Sequence, residues 1–146
     1  HMLPNYGVFD EKRIFTTGPV PKPITFGNLK LGIMICEDMW SETVPKALKG
    51  ADIGIVLNAS PYEIGKEKLR EAKAQKATQA FGRPLIYVNQ VGGQDELVFD
   101  GQSFVMLCSG KIRHQLAAFD EELSIVSWHH DKKEGWIFDS RREVET

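Results

Sequence analysis

The residues Lys30 to Trp40 read K-L-G-I-M-I-C-E-D-M-W, and they place a thiol and two carboxylates side by side. Leu31, Ile33, Met34 and Ile35 form a short apolar run, which ahead of a turn predicts a buried strand. Cys36 stands at the end of that strand, and Glu37 and Asp38 follow at once. A cysteine so placed is presented like a nucleophile on a sharp strand-to-helix turn. Free backbone N–H groups at such a turn favour a thiolate and later an oxyanion. A structural cysteine, acting as a small buried hydrophobe, fits the same stretch.

The remaining composition bounds what such a thiol could serve. A chain of 146 residues is long enough for one domain with a real core. With 42% hydrophobic and 26% charged residues it has the make-up of a soluble globular protein. A net charge of −2 gives no large attraction to nucleic acid or to an anionic membrane, so neither is an expected partner. No apolar run approaches the roughly 20 residues needed to span a bilayer. The first residues show no basic stretch followed by an apolar one, so no signal peptide is read there. Two cysteines, Cys36 and Cys108, make a disulfide framework unexpected and suit a reducing cytoplasm. No metal site is expected, because His1, His114, His129 and His130 lie far from either cysteine. The pair His129-His130 reads as a solvated strand end. His1-Met2 reads as an expression scar ahead of Leu3.

The elements that must position Cys36 follow from the pattern on either side. Leu3 to Phe15 is a loop, marked by Pro4, Asn5 and Gly7, with Tyr6, Phe9 and Phe15 as aromatic anchors. Thr16 to Pro23 is a proline-rich connector. Ile24–Phe26 and Leu29–Ile35 flank Gly27-Asn28, a two-residue hairpin turn. Ser41 to Gly50 predicts a short helix capped by Ser41, and Asp52 to Asn58 a second buried strand. Lys66 to Phe81 is the clearest helix, with Leu69, Ala72, Lys73, Lys76, Ala77 and Ala80 in spacings of three and four. Gly82-Arg83-Pro84 ends it. Leu85 to Val91 is a third buried strand, followed by a polar turn over Gly92 to Glu96 and then by Leu97-Val98-Phe99. Ser103 to Leu107, Ile112 to Phe119 and Ser124 to Trp128 suggest an antiparallel meander. From Asp131 onward the chain is charged and is expected to be a tail, in which Trp136 and Phe138 dock on something. Strands alternating with helices, then hairpins, make an α/β fold with a mixed sheet and helices on one face.

Four motifs carry a closer likeness. L-P-N-Y-G-V-F-D-E-K-R, G-I-M-I-C-E-D-M-W, N-A-S-P-Y and V-N-Q-V-G-G-Q-D-E-L-V-F-D-G-Q-S, in that order, resemble the amidase domain of the glutamine-dependent NAD⁺ synthetase family. That family sits within the nitrilase, or carbon–nitrogen hydrolase, superfamily, and the likeness runs from Leu3 to about Trp128. The resemblance implies part of an α-β-β-α sandwich. It implies Cys36 as the nucleophile that attacks glutamine's side-chain amide, and Glu11 as a second, orienting glutamate. Tyr6, Glu37, Trp40, Ser60 and Lys66 fall where the synthetase branch lines its glutamine pocket, although a lysine opening a helix in water would look the same as Lys66.

The likeness also has gaps. The family's catalytic lysine stands three positions before the Leu of L-P-N-Y, which would precede His1, and its glutamate base lies further upstream. Residues 3–130 therefore read as the C-terminal part of an amidase domain, and 131–146 as a tail leading toward a synthetase domain. No cofactor is expected in the amidase part, whereas ATP and Mg are expected in that synthetase domain. The parent would hydrolyse glutamine and pass ammonia to it; the chain alone is expected to be inactive or nearly so. Half a sandwich leaves one sheet face bare, so self-association to a dimer or larger oligomer is expected. A stand-alone amidase acting on another small amide, and a non-catalytic assembly fragment, are the alternatives.

Overall fold

A computed structural model describes residues 1–131 and 135–143, the backbone alone for 135, 136 and 138–143. Strand β1 (Ile24–Phe26) turns through Gly27-Asn28 into β2 (Leu29–Ile35), as the sequence predicts. A 3-10 turn (Cys36–Trp40) and helix α1 (Thr43–Ala47) lead to β3 (Ile53–Asn58). Helix α2 (Lys66–Phe81) leads to β4 (Leu85–Asn89), then β5 (Val91–Gln94), β6 (Leu97–Asp100), β7 (Phe104–Met106) and β8 (Ile112–Gln115). The six-stranded sheet runs β1-β2-β3-β4-β7-β8. Its centre, β2-β3-β4, is parallel, and both flanks are antiparallel. This is the mixed α/β sheet the alternation of elements required.

One face of the sheet is sealed. Met34, Val56, Leu85 and Tyr87 point from the central strands toward Val44, Leu48, Ala74, Ala77 and Phe81 of the helical layer, and all are buried. The inward stripe of α2 is Arg70, Ala74, Ala77, Thr78 and Phe81. That is one position away from the spacing that begins at Leu69, whose side chain is 45% exposed, and Ala72 is exposed too. The reason is steric and electrostatic: small alanines let the helix lie close to the sheet, and Arg70 goes inward because a carboxylate waits for it. The Phe81 ring is wedged over two glycines. A Cβ on Gly54 would sit 3.0 Å from its Cε1, and one on Gly32 would sit 3.3 Å from its Cε2.

The opposite face is only partly covered along the central strands, where Ile33, Ile55 and Ile86 are half-buried. Ile35, Leu57 and Val88 stand in register across β2, β3 and β4 and are 62%, 47% and 42% exposed. Together they form an exposed apolar row across the three strands.

Three expectations change. The polar turn placed over Gly92 to Glu96 shrinks to Asp95-Glu96, because β5 and β6 pair through Gln94 and Leu97 and Asp95 takes the left-handed turn conformation (φ 53°). Strand β9 (Ser124–Asp131) does not continue the meander onto β8. It pairs instead with β10 (Gly135–Glu143), a stretch expected as charged tail, in an antiparallel ladder with one irregularity between Phe138 and Ser140. Backbone pairing recruits this segment despite its charge, since alternate residues of a two-stranded ribbon can face water. The expected docking of Trp136 and Phe138 concerns side chains outside the described residues. His129 and His130 lie exposed near the end of β9.

The wedge over Gly32 and Gly54 yields a stability prediction. Because the Phe81 ring lies over both glycines, a methyl added at either one meets it at closer than ordinary van der Waals contact. Gly54→Ala should lower unfolding stability by about 1–2 kcal/mol, overpacking outweighing the smaller entropic gain in the unfolded chain. Urea denaturation measures it, with an unchanged or higher midpoint as the contrary result.

Candidate active site

Cys36 leaves β2 with φ 45°, a left-handed conformation rarely taken by a residue with a side chain. The turn that forces it is held by Asp38. Its buried carboxylate accepts the Ile35 N–H at 3.1 Å and the Met2 N–H at 2.7 Å. Ser41 continues the scaffold: its Oγ donates to the Asp38 carbonyl and accepts the Val44 N–H, capping the start of α1. The two neighbouring carboxylates thus divide their work. Asp38 holds the backbone, and Glu37 faces outward into a cavity.

That cavity has a volume of about 330 Å³. Cys36, Glu37 and Trp40 reach it from the end of β2, Tyr6 from the N-terminal loop, Ser60 from the loop after β3, and Lys66 from the start of α2. Six of the seven residues singled out in the sequence therefore line one space. Glu11, in a 3-10 turn (Glu11–Arg13), does not line it, though its carboxylate acts electrostatically on the Cys36 thiol.

The local charges are arranged in pairs. The Tyr6 hydroxyl donates to Glu37 Oε2 at 2.8 Å. Burial of that hydroxyl, followed by the Glu37 bond and charge, pushes Tyr6 up to about 12, so it remains a neutral donor. The Lys66 ammonium pairs with Glu63, and its side chain is only 13% exposed, which sets it apart from a lysine extended into water. Trp40 forms a wall of the cavity, with Lys73 Nζ 5.1 Å from its ring centroid.

The thiol itself departs from expectation. Burial pushes the Cys36 thiol up, and the charges of Glu37 and Glu11 push the same way. The Glu37 backbone N–H and the Lys66 charge pull it down, but they do not win. The backbone N–H group that was to favour a thiolate is present, and desolvation outweighs it.

Sequence reasoning missed the polar layer beneath the cavity. Arg70, Asp100 and Asn89 are buried and converge on the Ser60 loop. An arginine in a lysine- and glutamate-rich helix reads as solvated, and Asp100-Gly101 reads as a turn. No local signal joins residues 30 positions apart.

Residues 1–136 match the family model for carbon-nitrogen hydrolase. The chain belongs to the carbon–nitrogen hydrolase family. It is 44% identical over 135 residues to the glutamine-dependent NAD⁺ synthetase of Acinetobacter baylyi, covering 91% of this chain and 25% of that protein. Its fold superposes on the glutamine-dependent NAD⁺ synthetase of Acinetobacter baumannii, solved with ADP, with a TM-score of 0.84 and 41% identity, over 100% of this chain and 27% of that one. It also resembles a mutant amidase from Nesterenkonia sp. AN1 carrying the acetamide moiety of fluoroacetamide on its active-site cysteine (TM-score 0.64, 25% identity, 79% of this chain, 44% of that one). The chain thus spans about a quarter of the synthetases and under half of the amidase. The nitrilase-type α/β fold read from the motifs is the fold observed.

The electrostatics of Cys36 can be checked directly. Its alkylation by iodoacetamide should rise with pH through a half-point above the ordinary thiol value of about 8.5. Glu37→Gln removes a neighbouring negative charge, so the half-point should fall and the rate at pH 8 should rise roughly three- to tenfold. Mass spectrometry of the Cys36 peptide reads both, and an unmoved profile would remove Glu37 from the account.

Proposed function

We propose that this chain is the cysteine-bearing part of an amidase domain that takes glutamine as substrate, within a larger synthetase. The observation that supports it most is the gathering of Tyr6, Cys36, Glu37, Trp40, Ser60 and Lys66 around one cavity at the end of β2. A free amino acid carries an ammonium and a carboxylate, and Glu37 and Lys66 offer one charge of each sign across that space.

In this reading Cys36 Sγ attacks the side-chain amide carbon. A C–S bond forms, the C–N bond breaks, and ammonia leaves with the proton that the thiol gave up. Water then cleaves the thioester to glutamate. Glu11 orients the site from outside the cavity, and Tyr6, Trp40 and Ser60 shape the pocket. The proton acceptor and the cation for the oxyanion come from the upstream half of the domain. Burial above all, with the charges of Glu37 and Glu11 behind it, raises the Cys36 thiol, so it is a poor nucleophile until that acceptor takes its proton. Losing a single oxyanion donor typically costs about 10²–10³ in rate. In the whole protein the ammonia amidates deamido-NAD to NAD⁺ in an ATP- and Mg-dependent domain of the cytoplasm. The greater identity to synthetases than to the Nesterenkonia amidase favours this over a stand-alone amidase.

The bare row Ile35, Leu57 and Val88 supports a second reading of the isolated chain, as a self-associating unit in which another copy covers that face. Light scattering on the eluting peak should give a dimer or larger species, which Leu57→Lys shifts toward monomer. A clean wild-type monomer refutes self-association.

For the chemistry, a chloroketone analogue of glutamine should label Cys36 in preference to the exposed Cys108, glutamine should protect it, and Cys36→Ser should abolish it. Equal labelling of the two thiols would defeat the amidase assignment.

A further inference from the structure

Beneath the cavity lies an ion pair that takes no part in the chemistry above. Arg70 is 2% and Asp100 1% exposed, and Arg70 Nη1 donates to Asp100 Oδ2 at 2.8 Å. A buried guanidinium is costly unless every donor direction is used. Here its other bonds all go to one loop. Nη2 donates to the Ser60 carbonyl at 2.8 Å and the Pro61 carbonyl at 3.0 Å, and Nε donates to Ser60 Oγ at 3.2 Å. Asn89 grips the same residue from the sheet, accepting the Ser60 N–H at 2.9 Å and donating to the Gly101 carbonyl at 3.0 Å. Ser60 therefore has no freedom of backbone position, although it follows a strand end and lies on a cavity wall.

The bond to Ser60 Oγ carries a further consequence. Arginine donates and never accepts. Ser60 Oγ must therefore spend a lone pair on Nε, which leaves its own proton for another acceptor. Two lie within reach of the hydroxyl: a group bound in the cavity that Ser60 lines, and the buried Tyr87 hydroxyl beside it.

Resting on the amidase reading above, we propose that Arg70 is a positioning residue: with Asp100 as its counter-ion, it fixes the Ser60–Pro61 wall and orients the Ser60 hydroxyl as a hydrogen-bond donor to an acceptor oxygen of the bound amino-acid amide. The fork geometry is what matters. A lysine at position 70 keeps the charge and the pairing to Asp100 but, as a compact point charge, does not span two carbonyls and a hydroxyl at once.

The test uses this chain and two probes of Cys36. Iodoacetamide reports the thiol alone; the chloroketone analogue of glutamine reports the thiol and the recognition of the amino-acid part. The ratio of their rate constants at Cys36 isolates recognition. Arg70→Lys should cut that ratio roughly tenfold, the worth of a charge-assisted bond, with the iodoacetamide rate held within about twofold. Ser60→Ala, which leaves the ion pair intact, should cut the ratio to a similar degree. The double variant should fall no further than either single one, since both remove the same bond. A wild-type ratio in a cooperatively folding Arg70→Lys overturns the proposal, as does full additivity of the two losses. Where Arg70→Lys does not fold, Ser60→Ala decides: a wild-type ratio overturns the orienting role, a reduced one supports it. If wild-type chloroketone labelling does not distinguish Cys36 from Cys108, the amidase reading itself has failed, and the proposal with it.

Discussion

The site depends on a backbone turn that would not form unaided. Cys36 adopts a left-handed conformation, which costs a residue with a Cβ on the order of 1–3 kcal/mol. The Asp38 carboxylate offsets that cost by accepting the Ile35 N–H from the strand and the Met2 N–H from the residues just ahead of the N-terminal loop. One buried anion thus ends the strand, starts the 3-10 turn and ties down the loop that carries Tyr6. With the turn held, Sγ is delivered at the strand's end, and Glu37 is forced to the other side, toward the cavity.

The cavity is assembled from the N-terminal loop, the end of β2, the continuous stretch from the loop after β3 into α2, and Leu97 of β6, and most of these are anchored by polar contacts. The end of β2 has Asp38. The loop after β3 has Arg70 and Asn89. Helix α2 begins with the paired Lys66 and carries Arg70 one turn later. The N-terminal loop is held by Tyr6 to Glu37 and by Met2 to Asp38. Asp38, Arg70 and Asn89 are ionised or amide side chains with several partners each. That chemistry pins a loop with less backbone than a strand pair would need. Glu37, Ser60 and Lys66 bring polar groups to the cavity, and Trp40 gives it an apolar wall.

Much of this could be read in advance, and the failures have a common cause. The hairpin at Gly27-Asn28 and the limits of α2 follow from local rules, because turns and helix ends are set by the residues within them. Cys36 was readable because a cysteine between an apolar run and two acids is locally unusual. The inward face of α2 was not, because its anchor is Arg70 and charge in a helix normally means solvent. The roles of Glu37 and Asp38 were not distinguishable either: adjacent carboxylates at a turn point in different directions, and only the turn's handedness says which points where.

By itself, then, the amino-acid order determined the succession of strands and helices, the strand-end thiol and the four motifs that mark the family. These are properties of short windows, governed by periodicity, turn chemistry and residue type. Tertiary structure alone decided that six side chains share one cavity, that burial and two carboxylates push the thiol up, and that Arg70 meets Asp100 beneath Ser60. Those outcomes depend on which groups lose their water and which charges end up within a few ångströms. Both quantities exist only once distant segments have packed.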